Sequence, residues 1–198
     1  MEDEIIQVRS ISIPDHRIKM MKKNWMKIYT PIVEIGKLQI RMNLYTRSVE
    51  IRTTPMTTDP AILERSIQFV RAISLGFNVE DALMIMNDAN VYIESFDIQD
   101  VKILKGDHLS RAIGRIIGIK GKILASIQEA SRTKVIVVEN TIHIIGAGDN
   151  CRLARDSICR LIMGSDPGKI STRMKNISAK LRNKCGSIIV TKRDDNEM

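Results

Sequence analysis

Aromatic side chains are scarce in this chain, since phenylalanine, tryptophan and tyrosine together make up 4% of its 198 residues. Stacking of bases on aromatic rings therefore cannot be the main way in which the chain would hold a nucleic acid. Hydrophobic residues reach 43% and charged residues 27%, a composition that is typical of globular domains and excludes a wholly disordered chain. The length suits one large domain or two small ones.

Cysteine is scarce as well: Cys151, Cys159 and Cys185 are the only three, and no CxxC pair occurs among them. They are too few and too scattered for a disulfide framework, and a zinc site is not expected. If Cys151 and Cys159 share a helix, they lie about 12 Å apart along its axis, beyond disulfide reach. We expect core thiols in a reducing compartment.

Long apolar runs are missing too, because no stretch of about 18 apolar residues occurs in the sequence. The N-terminus begins with acids and lacks a charged-then-apolar leader. We therefore expect an intracellular protein with no membrane partner. No motif in the sequence indicates a cofactor or a metal.

Positive charge is abundant, and it is concentrated near the C-terminus. The net charge is +8, and the stretch from Lys169 to Arg193 carries eight bases and no acid. Such an excess favours a polyanionic partner. Residues 168–183 have the pattern of a basic amphipathic helix, which could pack on the domains or lie on RNA. Its apolar face would be Ile170, Met174, Ile177 and Leu181.

The second half of the chain has a readable order of helices and strands. Ser110 can cap a helix that runs through Ile117, and the glycines at 118 and 121 interrupt it. The periodicity then predicts, in order, a helix over Lys122–Ser131, strands over Val135–Val138 and Ile142–Ile145, and a helix capped by Asp149 or Asn150 and stopped by Gly164 and Pro167. With a strand around Val101–Leu104 in front, the order is β-α-α-β-β-α.

The first half resembles a weaker copy of the same pattern. Val49–Arg52 is strand-like, and Asp59-Pro60 opens a helix that Gly76 ends. Two tandem copies of one small α/β domain explain this better than two unrelated segments, although the latter alternative stays open. The stretch TPIVEIGKLQIRMN would correspond to the loop of the second copy, with Gly36 alone and Gln39 where a second glycine is needed.

The most informative stretch is IGRIIGIKG, which spans Ile113–Gly121 and is followed by Lys122. A nucleotide-triphosphate loop would require glycine at position 116 and a hydroxyl at position 123, and isoleucine occupies both. A dinucleotide fingerprint would require glycine at position 116 as well. Both interpretations fail.

A GxxG loop between two short helices remains, and it suits the backbone of a single strand. Gly118 and Gly121 let phosphates approach the main chain, and the amides of the following helix face them. An apolar wall for unstacked bases would come from Ile113, Ile116 or Ile117 with one face of Val135–Val138. This is the arrangement of a KH domain, which holds about four nucleotides. The expected RNA contacts are Arg111, Ile113, Arg115, Gly118, Ile119, Lys120, Gly121, Lys122, Arg132 and Lys134.

Longer stretches resemble the Partner of Nob family of ribosome assembly factors. The similarity lies in WMKIYTPIVEIGKLQIRMNLYTRSVEIRTT, in DALMIMNDANVYIESFDIQDVKILKGDHLSRAIGRIIGIKGK, and in ISLGF and LIMG. It implies an α+β fold of two tandem type I KH domains, the first degenerate and without GxxG, plus a basic C-terminal helix. We place the boundaries at 1–23 for an N-terminal extension, 24–93 and 94–166 for the two domains, and 167–198 for the basic helix and tail.

The resemblance also implies a function. Members bind near the 3′ end of the 18S rRNA precursor, work with the PIN-domain endonuclease of the Nob family and other small-subunit assembly factors and ribosomal proteins, and act in the nucleus, nucleolus and cytoplasm. They are not enzymes. Members commonly carry GKGGK in the loop, whereas this chain has GIKGK, with Ile119 in place of a lysine, so that one charge is shifted to Lys120 and a glycine is lost; fewer phosphate contacts are therefore expected.

Four other functions remain as alternatives. The chain could be a single-strand KH protein acting on messenger RNA, a related two-KH assembly factor that acts earlier, or a protein scaffold with a vestigial loop. A metal-dependent nuclease site would need Asp97, Asp100 and Asp107 with His108 to gather around magnesium.

Overall fold

The protein is described from a computed structural model that covers residues 6–57, 59, 61–177 and 179. Cys185, Leu181 and the basic residues from 180 onward lie outside the described residues. The chain divides into two compact units, residues 1–95 with 145–148 and residues 96–144 with 149–198. Among the described residues, no helix is long and apolar enough to cross a membrane.

The first domain combines a three-stranded sheet with helices. Its elements are β1 (Val8–Ser12), α1 (Asp15–Lys23), α2 (Trp25–Glu34), β2 (Gln39–Asn43), β3 (Ser48–Arg52), α3 (Ala61–Leu75) and α4 (Val79–Asn87). The strands have the order β1-β3-β2, and both pairs are antiparallel. Val49 and Ile51 of β3 are fully buried with Phe69 and Ile73 of α3, so the predicted strand and helix of the first copy are confirmed.

This domain begins earlier in the chain than the sequence pattern suggests. Residues 1–23 look like an extension because VRSIS is short and mostly polar. Val8–Ser12 nevertheless pairs along its whole length with β3, and Ile11 lies opposite Val49. The backbone hydrogen bonds of an edge strand hold this segment, and such bonds leave no hydrophobic signature in the sequence.

The second domain repeats this order of elements. It contains β4 (Val91–Asp97), α5 (Ile98–Val101), α6 (Asp107–Ile117), a 3₁₀ turn (Ile119–Gly121), α7 (Lys122–Ser131), β5 (Lys134–Val138), β6 (Thr141–Ala147) and α8 (Gly148–Met163). The strand order is β4-β6-β5, which matches that of the first sheet. The prediction of α7 and of both hairpin strands is confirmed. Cys151 and Cys159 both lie on α8, neither is in a disulfide, and Cys151 is fully buried.

Two predictions at the start of this domain were wrong. The first strand is β4, and the segment predicted as a strand, Val101–Leu104, starts with the last residue of the short helix α5 and continues without regular structure. That helix begins in a capping box, in which the Asp97 carboxylate accepts from the amide of Gln99 and Asp100 accepts from the amide of Asp97. Helix α6 starts at Asp107 after Gly106, so Ser110 lies inside the helix instead of capping it.

The basic C-terminal segment packs on the second domain. Residues 167–177 are helical, and both Ile170 and Met174 are buried among the residues of the domain core, including Ile158 and Leu161 of α8. Of the two alternatives for this helix, packing on the domains is therefore the observed one. The hydroxyl of Ser157 also lies 3.8 Å from the Met174 sulfur.

Candidate nucleic-acid interface

The glycine loop joins α6 to α7 through three residues with positive φ. Gly118 has φ 72° and ψ 178°, a combination that is essentially confined to glycine. Gly121 has φ 74° and ψ 7°, and Lys120 between them has φ 52°. The chain thereby reverses within one turn of 3₁₀ helix, and the loop is fixed by the backbone conformation of its glycines.

The loop presents its side chains to solvent and its backbone to an incoming ligand. The side chain of Ile119 is 82% exposed, and Lys120 is exposed beside it. A Cβ placed on Gly121 would meet no atom within 4 Å, so the space next to this residue is open. No side chain caps α7, and the amide of Lys122, its first residue, donates to the carbonyl of Ile119.

The predicted contact residues of α6 divide between two flanks of the helix. Residues three, four or seven positions apart share a helix face, so Arg111 and Arg115 lie on one flank and Ile113 and Ile117 on another. Ile117 is 37% exposed, and Ile113 packs partly against the core. Ile116 is fully buried, so it belongs to the core and does not line a binding surface.

The flank with the two arginines borders a groove of about 840 Å³. Gly118, Ile119 and Lys122 of the loop region are among its lining residues. The full lining is Lys102, Leu104, His108, Arg111, Gly114, Arg115, Gly118, Ile119, Lys122, Ile123, Met163 and Pro167. We call this groove the arginine groove. Sequence reasoning missed Leu104, His108, Met163 and Pro167 as parts of the site.

Arg132 and Lys134 lie elsewhere, where α7 ends and β5 begins. Arg132 adopts the left-handed conformation with φ 53° and closes the C-terminus of α7. The Gln128 side chain accepts a hydrogen bond of 3.0 Å from the amide of Val135, which ties this junction together. Neither basic residue lines the arginine groove, so the structure does not bring them together with Arg111 and Arg115.

The first domain has no counterpart of the glycine loop at the position that the sequence suggested. Helices α1 and α2 meet at Asn24, whose side-chain amide donates to the carbonyl of Met20 at 3.2 Å. Gly36 instead lies between α2 and β2, the position that Arg132 occupies in the second domain. The alignment of Gly36 with the loop was wrong, although the absence of a GxxG sequence between α1 and α2 agrees with a degenerate domain.

The carboxylates considered for a nuclease site have structural partners. Asp97 and Asp100 form the capping box of α5, and Asp107 lies in the first turn of α6. Across the part of the chain that the structure describes, no group of three or more histidine, cysteine, aspartate or glutamate side chains is placed to hold a metal ion.

Two family models match the chain, one on each domain. A model described as "Krr1 KH1 domain" matches residues 9–88, and one described as "Eukaryotic type KH-domain (KH-domain type I)" matches residues 95–179. The prediction of two tandem KH domains is therefore confirmed. Both matches extend beyond the β-α-α-β-β-α pattern, since the first includes α4 and the second includes the C-terminal helix.

Curated proteins and solved structures are similar along most of the chain. It is 47% identical over 175 residues to the "RNA-binding protein pno1" of Dictyostelium discoideum, covering 88% of this chain and 73% of that protein. It is 46% identical over 178 residues to the "Pre-rRNA-processing protein PNO1" of Kluyveromyces lactis, covering 89% of this chain and 65% of that protein. The chain thus spans about two thirds of the length of the yeast relative.

A solved neighbour comes from an archaeon. A chain in the crystal structure of an a/eIF2alpha–aDim2p–rRNA complex from Pyrococcus horikoshii OT3 superposes with a TM-score of 0.75 at 29% identity. The superposition covers 90% of this chain and 98% of that one. A similar fold is therefore found in a complex that contains ribosomal RNA.

Proposed function

The chain belongs to the PNO1 family, and on that premise we propose that it is an RNA-binding assembly factor that binds the 18S rRNA precursor near its 3′ end. The observation that carries the proposal is the glycine loop of the second domain, with an exposed Ile119 and Lys120 and open space beside Gly121. The names of the relatives and the rRNA complex of the archaeal neighbour support it.

The loop grips the backbone of a single strand. Phosphates approach the main chain at Gly121, where the space for a Cβ is open. Lys120 and Lys122 add full charges on either side of Gly121. Bases then lie against the aliphatic side chains of Ile113, Ile117 and Val138. Ile117 and Val138 are partly exposed and therefore accessible to a base.

Ile119 changes how the loop binds. A lysine at this position would add a phosphate contact, whereas the exposed isoleucine adds an apolar surface against a ribose or a base. Fewer phosphate contacts give a shallower dependence of affinity on salt. The chain therefore relies more on contacts with sugars and bases than a loop with GKGGK would, in which the lysine occupies the position of Ile119.

The remaining parts of the protein serve protein contacts. The first domain has no GxxG loop, and we propose that it contacts the PIN-domain endonuclease of the Nob family, other assembly factors and ribosomal proteins. The protein assists that endonuclease at the final cut and acts in the nucleus, nucleolus and cytoplasm. It supplies binding and no catalytic group, since Asp97 and Asp100 are engaged in the capping box.

Binding of single-stranded RNA that matches the 3′ end of the small-subunit rRNA tests the proposal. The double variant Ile119→Asp/Lys120→Asp places two acids at the phosphates and should lower affinity by tenfold or more, which is about 1.4 kcal/mol. The log–log salt slope should fall by about 0.7 for each phosphate of the single strand that the variant no longer neutralises. Affinity is measured by fluorescence anisotropy across a salt series, and melting curves check that the variant is folded.

The matched control is Ile35→Asp/Lys37→Asp in the first domain. It changes the same residue types and the same net charge at two exposed positions, so the long-range field of the protein changes equally. Affinity of this control should stay close to that of the wild type. If the folded loop variant binds as well as the wild type, the loop is vestigial and the scaffold alternative is favoured.

A further inference from the structure

The arginine groove lies on the flank of α6 that faces away from Ile113 and Ile117. His108, Arg111 and Arg115 follow one another at helical spacing along this flank, whereas the KH base-binding wall uses the other flank. The lining of the groove includes Gly118 and Ile119 of the loop together with Met163 at the end of α8 and Pro167 at the start of the C-terminal helix. The groove therefore adjoins the glycine loop.

The charge of the groove indicates an anionic occupant. Its lining contains Lys102, Arg111, Arg115 and Lys122 and no aspartate or glutamate. Within the described ranges of the chain, none of these four cations takes part in an ion pair. Four unpaired cations around one groove make a favourable place for phosphates.

Arg115 lies beside the end of α8. Its Nε atom is buried, with no hydrogen-bond partner among the described residues. A Cβ added to Gly164 would lie 3.4 Å from one terminal nitrogen of the guanidinium, so this group is next to the residue that follows α8. Arg115 and Met163 consequently line the same groove.

The interior of the groove is aliphatic. Leu104, Ile123, Met163 and Pro167 contribute to its lining, and Met163 is 59% exposed. A methionine adapts to different shapes, and aliphatic surface accepts the faces of riboses and bases without selecting a sequence. Apolar surface between cations is the combination that a ribose-phosphate strand fits.

The equivalent pocket in the first domain is smaller, and its basic side chains have partners within the protein. It has a volume of about 250 Å³ and is lined by Arg17, Asn24, Lys27 and Glu80 among others. Arg17 donates to the carbonyl of Ile73 at 3.0 Å, and Lys27 pairs with Glu80 at 3.3 Å. The open, unpaired groove is thus a property of the second domain and not a by-product of the shared fold.

We propose that the arginine groove holds a second stretch of the same RNA strand, contiguous with the nucleotides at the glycine loop. The proposal rests on the proposed function, because it extends the site of the loop. Arg111, Arg115 and Lys102 contact phosphates, and Leu104 and Met163 contact sugars or bases. The RNA site is consequently longer than the about four nucleotides of a single KH domain.

Binding of oligoribonucleotides of two lengths to the full chain tests the idea. The probes are a segment of about four nucleotides from the 3′ end of the small-subunit rRNA and versions extended by about four nucleotides on either side. Arg111→Glu is compared with Arg152→Glu, an equal charge change at an exposed position of α8 outside the groove. Melting curves confirm that each variant is folded.

The expected result is a difference between the two probe lengths. Arg111→Glu should lower the affinity for an extended probe about tenfold and leave the affinity for the short probe within about twofold of the wild type. Arg152→Glu should change neither affinity much. Equal effects on both lengths would mean that Arg111 acts at the loop, and the second stretch would be rejected. Unchanged binding of both lengths would also reject it and would leave the groove for a protein ligand.

The loop variant Ile119→Asp/Lys120→Asp separates this proposal from the proposed function. If it weakens both probes while Arg111→Glu weakens neither, the loop binds RNA and the groove does not. If the loop variant weakens neither probe, the proposed function itself fails, and the extension of the site fails with it.

Discussion

Gly118 lies so close to Ile123 that a Cβ added to the glycine would be 2.4 Å from Cγ1 and 2.9 Å from Cβ of the isoleucine. The backbone nitrogen of Ile123 would be 3.1 Å away, so rotation of the isoleucine side chain could not relieve the contact. The first glycine of the loop is therefore required for packing as well as for its φ. The second glycine, Gly121, has open space where its Cβ would be.

The two glycines should consequently respond differently to alanine. Gly121→Ala should cost about 1–2 kcal/mol, the usual penalty for an L-residue in a left-handed conformation. Gly118→Ala should cost more, because overpacking adds about 1–3 kcal/mol to a backbone conformation that is nearly exclusive to glycine. Urea unfolding of both variants measures the difference. Equal decreases in the free energy of unfolding would contradict the packing role of Gly118.

The C-terminal helix should contribute to the stability of the second domain. Met174 is fully buried in the core, whereas Lys175 next to it is exposed. Met174→Ala should lower the free energy of unfolding by about 2–5 kcal/mol, the range for truncating a buried methionine. Lys175→Ala should stay within about 0.5 kcal/mol of the wild type. Chemical denaturation reports both values, and a small effect of Met174→Ala would show that the helix packs only loosely.

The sequence predicted the parts of this site that depend on neighbouring residues. Helix α7 follows from the spacing of its apolar face, and the glycine loop follows from IIGIKG. The arginine groove was not predicted, because Arg115 and Met163 are distant in the chain and meet only through the fold. Met163 lies in a helix whose sequence marks an inner face, and nothing local distinguishes an exposed methionine beside a groove from one beside solvent.

The errors have equally specific causes. The strand predicted at Val101–Leu104 rests on the apolar residues of this segment. The observed strand β4 ends earlier, at Asp97, where the capping box of Asp97 and Asp100 starts helix α5. Gly36 was aligned with the loop because strand β1 was not recognised. The first copy was therefore taken to start one helix too late, and the loop between α2 and β2 was compared with the glycine loop, whose counterpart lies between α1 and α2. Edge strands held by backbone hydrogen bonds give too little side-chain pattern for such an assignment.

A cross-strand ion pair in the first domain should make its stability depend on pH. Arg41 and Glu50 are directly opposite in β2 and β3, and the Arg41 Nε atom donates to the Glu50 carboxylate at 2.7 Å. The hydrogen bond from Arg41 is the main cause that lowers the pKa of Glu50 below its usual value, and Asn43 assists while partial burial opposes it. The folded state therefore binds the Glu50 proton less readily than the unfolded chain does.

The sign of the effect follows from this lowered pKa. Glu50 stabilises the fold at pH values above its unfolded pKa of about 4.3, and the stabilisation disappears as the pH falls through the lower folded value. Arg41→Met should therefore be less stable than the wild type at neutral pH, and the two should converge in acid, at a pH below the lowered pKa of Glu50. Urea unfolding at both pH values measures the difference, and carbon-detected NMR titration of Glu50 should show its pKa rise in the variant. Because Arg41 is largely exposed, a difference that stays constant across this pH range would show that the arginine acts through the packing of its aliphatic stem instead of through charge.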